Sequence, residues 1–233
     1  MRSWAAQTLG GPVPHAGGPD LRMSKRFART LLTVPAAGFA TVLTVTSAMA
    51  ATTWTVRPGG AVTAKSGLVV LKDATTGSLV TCTSSAIKAT LKGGTGLSGP
   101  SIGAISSFTF SGCSGPLKLT YTLTLSHLPF TLNAISYKSG TGTTTAAITG
   151  IHGTFMGPSC SYVLDGTGAA MHNGTLAITY TNGTHKLKFL TTGGNLHVYQ
   201  LRSCGFLGPI HNDDRLTLSA TGTVSPAQTI TSP

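Results

Sequence analysis

Residues 176–190, LAITYTNGTHKLKFL, decide the fold class. Leu176, Ile178 and Tyr180 recur with a period of two before Asn182-Gly183, and Leu187 and Phe189 do so after it. Alternation on both sides of an Asn-Gly dipeptide is the pattern of a β-hairpin, because these two residues tolerate the positive φ angles that a two-residue type I′ turn requires. Such a turn predicts Thr181 opposite Thr184, Tyr180 opposite His185, Ile178 opposite Leu187 and Leu176 opposite Phe189. In that register the apolar side chains share one face, while Thr179, Lys186 and Lys188 share the other. Asn173-Gly174 marks a further candidate turn just upstream. Both Asn-Gly-Thr triplets match a glycosylation acceptor pattern, but turn chemistry already accounts for them.

The same period extends outward from the hairpin. In LKLTYTLTL, residues 117–125, Leu117, Leu119, Tyr121, Leu123 and Leu125 alternate with Lys118 and threonines, so one face is core and the other wet. Phe130, Leu132 and Ala134 continue the alternation, and Ile135 and Tyr137 fall out of phase, which predicts a bulge or a strand buried on both faces. Further strands are expected at 67–71, 79–83, 87–91, 105–110, 146–151, 161–164, 196–201 and 216–220, with no helix-length stretch of 3.6 periodicity. About a dozen short strands between turn signals predict an all-β fold, an antiparallel β-sandwich or barrel. Periodicity alone does not choose between the two.

Ahead of this region, basic Lys25, Arg26 and Arg29 precede an apolar run from Leu31 to about Val45, followed by Ala48-Met49-Ala50. That order is the pattern of a secretory signal peptide cleaved after Ala50. Pro35 and Gly38 interrupt the run, and it falls short of the roughly 20 apolar residues a membrane span needs. Residues 23–50 are therefore expected to be the signal, residues 1–22 a mis-assigned upstream leader with translation starting at Met23 rather than Met1, and residues 51–233 one secreted, extracellular all-β domain without a stable membrane anchor.

All four cysteines, Cys82, Cys113, Cys160 and Cys204, lie after residue 50, as an oxidising compartment would favour. Two disulfides are expected. Four cysteines allow three connectivities, and Cys82 with Cys113 and Cys160 with Cys204 are preferred because SGCSGPL and RSCGFLGPI resemble two versions of one element. Zinc on these cysteines is disfavoured, since no CxxC or CxxH spacing occurs.

The chain has no glutamate, and its acids beyond residue 50 are Asp73, Asp165, Asp213 and Asp214. General acid–base chemistry usually recruits carboxylates or histidine, so few catalytic candidates exist, and no G-x-S-x-G elbow is present. The net charge is +11, falling to +7 once the basic residues before Ala51 and Asp20 are removed. The lysines are spread singly rather than clustered, which argues against a nucleic-acid partner; the charge is expected to keep a weakly charged surface soluble, with weak adhesion to an anionic cell-wall polymer as the secondary reading.

No residue is assigned a catalytic role. His211-Asn212-Asp213-Asp214 is the densest polar cluster and supplies the candidate binding residues His211, Asp213 and Asp214, although a solvated loop before the last strands explains it as well. The other histidines, His127, His152, His172, His185 and His197, lack the i, i+2 or i, i+4 spacing of a preformed site, so no metal and no cofactor are expected. His185 is expected to pack beside Tyr180. Asp165 in LDGTG reads as a turn aspartate. Trp54 is a candidate stacking residue or a core anchor, and His127 to Phe130 form either an apolar mouth or, through Pro129, a strand break.

The start TWTVRPGG (residues 53–60), the four cysteines, NLHVY (195–199) and the terminal SPAQTITSP, with Val224, Pro226 and Ile230 in a V-x-P-x-x-x-I pattern, resemble a group of short secreted actinobacterial proteins of uncharacterised function. The resemblance spans nearly all of residues 51–233. It implies secretion and an all-β fold and carries over no functional residue. The expected function is that of a secreted, non-enzymatic β-scaffold that binds outside the cell or associates with the cell envelope. The alternatives are a barrel carrying a small hydrophobic ligand and, less favoured, a small secreted hydrolase. Oligomeric state is not legible.

Overall fold

The computed structural model describes residues 52–158, 160–168, 172–204 and 210–233. The expected leader and signal peptide lie outside the described residues. The described residues form sixteen strands: β1 Thr53–Arg57, β2 Gly60–Ser66, β3 Val69–Asp73, β4 Leu79–Leu91, β5 Gly94–Ser98, β6 Gly103–Ser114, β7 Thr120–Ser126 and β8 Phe130–Lys138 in the first half, then β9 Thr143–Gly157, β10 Cys160–Asp165, β11 Gly174–Thr181, β12 Lys186–Phe189, β13 His197–Arg202, β14 Leu216–Ser219, β15 Thr221–Ser225 and β16 Thr229–Thr231.

Their pairings resolve the choice between sandwich and barrel. In a first ring β2 pairs β4, β4 pairs β6, β6 pairs β8, β8 pairs β9, β9 pairs β11, β11 pairs β12, β12 pairs β15 and β15 returns to β2, every pair antiparallel. A second ring uses the other ends of the long strands: β14 pairs β3, β3 the start of β4, β4 the end of β6, β6 β7, β7 the end of β9, β9 β10 and β10 β13. The second ring closes through a bridge between His197 and Arg215, flanked by Val198 N–H donating to Asp214 O at 3.0 Å and Leu216 N–H donating to Leu196 O at 2.8 Å. Strands β4, β6 and β9 therefore run through both rings. Closure gives each wall strand a neighbour on both sides over at least part of its length, while β6 between residues 106 and 112 pairs with β4 alone.

Long shared strands also explain where the sequence reading falls short. The expected strands at 79–83 and 87–91 are one continuous β4, because its neighbour changes from β3 to β2 along its length while its partner β6 does not. Strand β7 begins three residues later than expected: Pro116–Lys118 form a 3₁₀ turn, with Leu117 in a left-handed conformation and 76% exposed. The irregularity expected near Ile135 is present, as the β8–β9 register shifts between Ala134 and Ser136 and Ile135 points to solvent.

The diagnostic hairpin forms with a different turn. Thr181 pairs Lys186, Tyr180 pairs Leu187 and Ile178 pairs Phe189, so the loop has four residues, Asn182 to His185. Neither Asn182 nor Gly183 takes positive φ; His185 does, at 54°. The Asn182 amide is instead engaged as if it were a strand residue, accepting from Ile230 N–H and donating to Ile230 O, each at 2.9 Å. The register moves by two, which preserves side-chain direction, so the apolar face survives. His185 does lie beside Tyr180, at 3.3 Å from its hydroxyl.

Strands β1, β5 and β16 form a separate three-stranded sheet. Ile230 of β16 and the neighbouring Gln228 reach the interior of the first ring, where Thr144 donates to Ile230 O and Tyr180 to Gln228 O. Trp54, 2% exposed, is held beneath this sheet, so it serves as the core anchor rather than as an exposed stacking platform. Eight strands give a barrel just wide enough for its own side chains. The first ring accordingly keeps a cavity of only about 70 Å³, walled by residues such as Ile87, Ile105, Ile148 and Ile178.

The second ring is filled by aromatic side chains and both disulfides. Tyr121, Phe155 and Tyr162 stack in series at 4.8 and 4.6 Å between centroids. Cys82 pairs with Cys113 directly across β4 and β6, and Cys160 with Cys204 ties the start of β10 to the end of β13. These are the expected pairs, and they agree with an oxidising environment. The Tyr121 hydroxyl and one oxygen of Asp73 are buried without a hydrogen-bond partner. An unsatisfied buried hydroxyl costs about 1–3 kcal/mol, so Tyr121→Phe should leave stability unchanged or raise it by about 1 kcal/mol in denaturant unfolding. A loss of comparable size would show that the hydroxyl is satisfied after all.

Candidate functional site at the seam of the two rings

Wherever the chain passes from one ring to the other, its sheet hydrogen bonds must change partners. Strand β9 does this at residues 149–152: before the break it is flanked by β8 and β11, after it by β7 and β10. Gly150, with φ of 86°, absorbs the resulting bulge. Two connections cross the seam on either side of it. The β7–β8 link, His127 to Pro129, leaves the second ring for the first, and the β10–β11 link does the same between Gly166 and Asn173.

Each crossing supplies a histidine. His152 is the first β9 residue beyond the bulge and faces outward, between the inward-facing Ile151 and Gly153. His127 directly follows β7 and His172 precedes β11. The three rings meet: His127 stacks on His172 at 3.7 Å between centroids, His152 meets His127 edge-on at 5.0 Å, and His152 meets His172 edge-on at 4.5 Å. One ring nitrogen from each lies within 4.8 Å of the other two. His127 and His172 are exposed, while the His152 side chain is 15% exposed.

Beneath them sits Asp165, with no exposed surface at all. One carboxylate oxygen accepts from Gly166 N–H at 2.7 Å and Asn173 N–H at 3.0 Å. The other accepts from His152 Nδ1 at 2.8 Å and His172 N–H at 3.3 Å. Burial alone would raise this carboxyl, but the His152 bond and the two backbone N–H groups outweigh it and hold Asp165 below the ordinary carboxylate range. A carboxylate can only accept, so His152 carries its proton on Nδ1 and, when neutral, presents a bare Nε2 lone pair to the other rings. Partial desolvation first, then the neighbouring His172 and His152, lower His127 below the usual histidine range, which favours its neutral form.

The backbone adds a second mark. His127 and His172 both adopt left-handed φ values, 61° and 48°. That conformation costs a residue with a Cβ roughly 1–2 kcal/mol and is ordinarily given to Gly, Asn or Asp. The link carrying His172 is also held at its middle: Gly168 N–H donates to the Tyr199 hydroxyl at 3.0 Å, and that hydroxyl donates to Asp213 at 2.7 Å.

The expected cluster at 211–214 divides into two separate uses. Asp213 accepts from Tyr199 and lies 3.0 Å from His197 Nδ1, and these contacts, Tyr199 first, hold its carboxyl low. Asp214 accepts from His211 N–H at 2.5 Å and lies 3.4 Å from His211 Nδ1, closing its own turn. The Asp213 carboxylate thus ties this loop to β13, the Asp214 carboxylate closes the loop's own turn, and each serves a different histidine. Phe130, 1% exposed, packs inward, so of the stretch 127–130 His127, Leu128 and Pro129 are what solvent meets.

Spacing along the chain conceals the three-histidine grouping, because its members come from three crossings. The oblique signals are that His127 precedes Leu128-Pro129 and His172 precedes Asn173-Gly174, both chain-turning pairs. Chemically, three imidazoles with one oriented by a buried carboxylate can bind a metal ion, accept hydrogen bonds or take up protons. Asp165→Ala would orphan four buried or half-buried N–H groups, three of the backbone and His152 Nδ1–H, at about 1–3 kcal/mol each. It should lower the unfolding free energy by at least about 3 kcal/mol, whereas Asp213→Ala, at an exposed carboxylate, should cost about 1 kcal/mol or less. Equal losses would remove Asp165 as the organiser of the seam. Comparison of the chain with protein-family models, with curated proteins and with solved structures finds no match.

Proposed function

We propose that this protein is exported by its Met23–Ala50 signal and acts outside the cell as a non-enzymatic binding protein, with the histidine seam as its contact site. The observation that carries this reading is the meeting of His127, His152 and His172 over Asp165. The crossings already hold turn-formers, Pro129, Gly150 and Asn173-Gly174, and the sequence adds a histidine beside each, two of them in left-handed conformations. Backbone strain held by its surroundings is a reason to look for function at that point.

The two disulfides support an oxidising destination. The first-ring cavity argues against the carrier alternative: at about 70 Å³ it is roughly half the 150 Å³ that admits benzene. A lipid-sized cargo would need the sheet of β1, β5 and β16 to move away. The His211–Asp214 pair that the hydrolase alternative would use closes its own turn at the surface, with the His211 side chain 65% exposed.

The test is mass spectrometry of the protein secreted by its own host, native and then denatured without reduction. The expected chain begins at Ala51, carries two disulfides, and shows under native conditions an added mass that disappears on denaturation. That added mass should be missing from a His127→Gly/His172→Gly variant. A chain that is bare in both forms would overturn the seam as a binding site, and a product retaining residues before Ala51 would overturn the export route.

A further inference from the structure

The geometry points to a divalent transition-metal ion, of the zinc and copper class, as the ligand of the seam, bound by one nitrogen each from His127, His152 and His172. This rests on the seam being a binding site, as proposed above, and names what it binds.

Three features select a metal over other ligands. The first is donor type. Imidazole nitrogens suit zinc and copper, whereas calcium and magnesium prefer oxygen donors, and the one carboxylate at the site has its oxygens committed to Gly166, Asn173, His172 and His152. The second is the buried partner behind a ligand. Metal-binding histidines almost always donate their other ring N–H to a carboxylate, carbonyl or water, which fixes the tautomer and raises ligand basicity. His152 has that arrangement in full: Nδ1 lies 2.8 Å from an Asp165 that solvent does not reach, and Nε2 is left for an ion. The third is the crowding of three like groups. Protonated together, the rings would repel one another at these separations, whereas neutral rings around a cation would not.

The distances fit with small movements. Zinc–nitrogen bonds of 2.0–2.1 Å in a tetrahedron put ligand nitrogens about 3.3 Å apart. The nitrogens here are within 4.8 Å of one another. His152 is fixed, and the exposed His127 and His172 rings can rotate toward it. A fourth position remains for water or a ligand from solution. Asp165 and Tyr199 act as positioning residues: Asp165 aims His152 and holds the backbone of His172, and Tyr199 tethers the link at Gly168.

The experiment uses the whole mature chain stripped of metal and titrated with Zn²⁺ by calorimetry, with Co²⁺ absorption as the coordination readout. A single equivalent should bind, and Co²⁺ should show the visible bands of a four- or five-coordinate nitrogen site. His127→Gly relieves a left-handed residue, so this variant folds; it should weaken Zn²⁺ by at least about tenfold, and His172→Gly likewise. Asp165→Asn should weaken it by about 10- to 100-fold and alter the Co²⁺ spectrum. His211→Gln should change nothing.

Failure of Zn²⁺, Co²⁺ and Cu²⁺ to bind would overturn the metal, and so would binding that survives both glycine variants or vanishes with His211→Gln. The native mass decides the broader reading separately. A non-metal adduct that depends on His127 and His172 would preserve the seam and discard the ion.

Discussion

Strand β9 carries the constraint on which the domain depends. Its fifteen residues need hydrogen-bond partners on both edges, and four strands supply them, two in each ring. A β-strand in a closed wall cannot leave backbone groups unpaired without a cost comparable to a lost hydrogen bond. The change of partners is therefore confined to a few residues around Gly150, and the flanking chain must turn back within a short distance on each side. Those turns bring residues 127, 152 and 172 to one place. The candidate site follows from the way two barrels share a wall.

The two rings divide the work of stability between them. The first is lined by small and branched aliphatic side chains that nearly fill it, and it is covered by a sheet built from the two ends of the domain. The second is packed with a ladder of aromatic rings and both disulfides. Gly157 is needed in that ladder because any Cβ there would run into the ring of Tyr121. Each disulfide closes a loop of more than thirty residues within or across the second ring, where chain entropy would otherwise favour opening.

Much of this was legible from residue order, and the parts that were not have a common cause. Alternation in LAITYT and HKLKFL located β11 and β12, since the period of two reports burial directly. The turn between them departs from the Asn-Gly pattern because Asn182 bonds to Ile230, a contact between residues 48 positions apart that no local pattern signals. The resemblance of SGCSGPL to RSCGFLGPI accompanied the right disulfide pairing. Sequence gave no access to ring closure, because β4 and β9 read as ordinary strands whichever neighbour they have. The histidine grouping was hidden for the same reason: its members share a crossing point in space and no spacing in the chain. Asp165 was read correctly as a turn aspartate, but its second oxygen reaches His152, thirteen residues away.

The sheet over the first ring has one further consequence, for how the domain yields to force. β1 and β16 pair antiparallel, Thr55 opposite Thr231 and Arg57 opposite Thr229, and Ser232 reaches back to Thr53 O. The start of β1 and the end of β16 therefore leave the domain side by side. Tension applied through both would peel this short ladder open one residue pair at a time, like a zipper, instead of loading its hydrogen bonds in parallel. The barrel walls, whose strands close on one another, would bear load only after that sheet had parted, and the apolar chamber beneath would be the first interior surface to meet water.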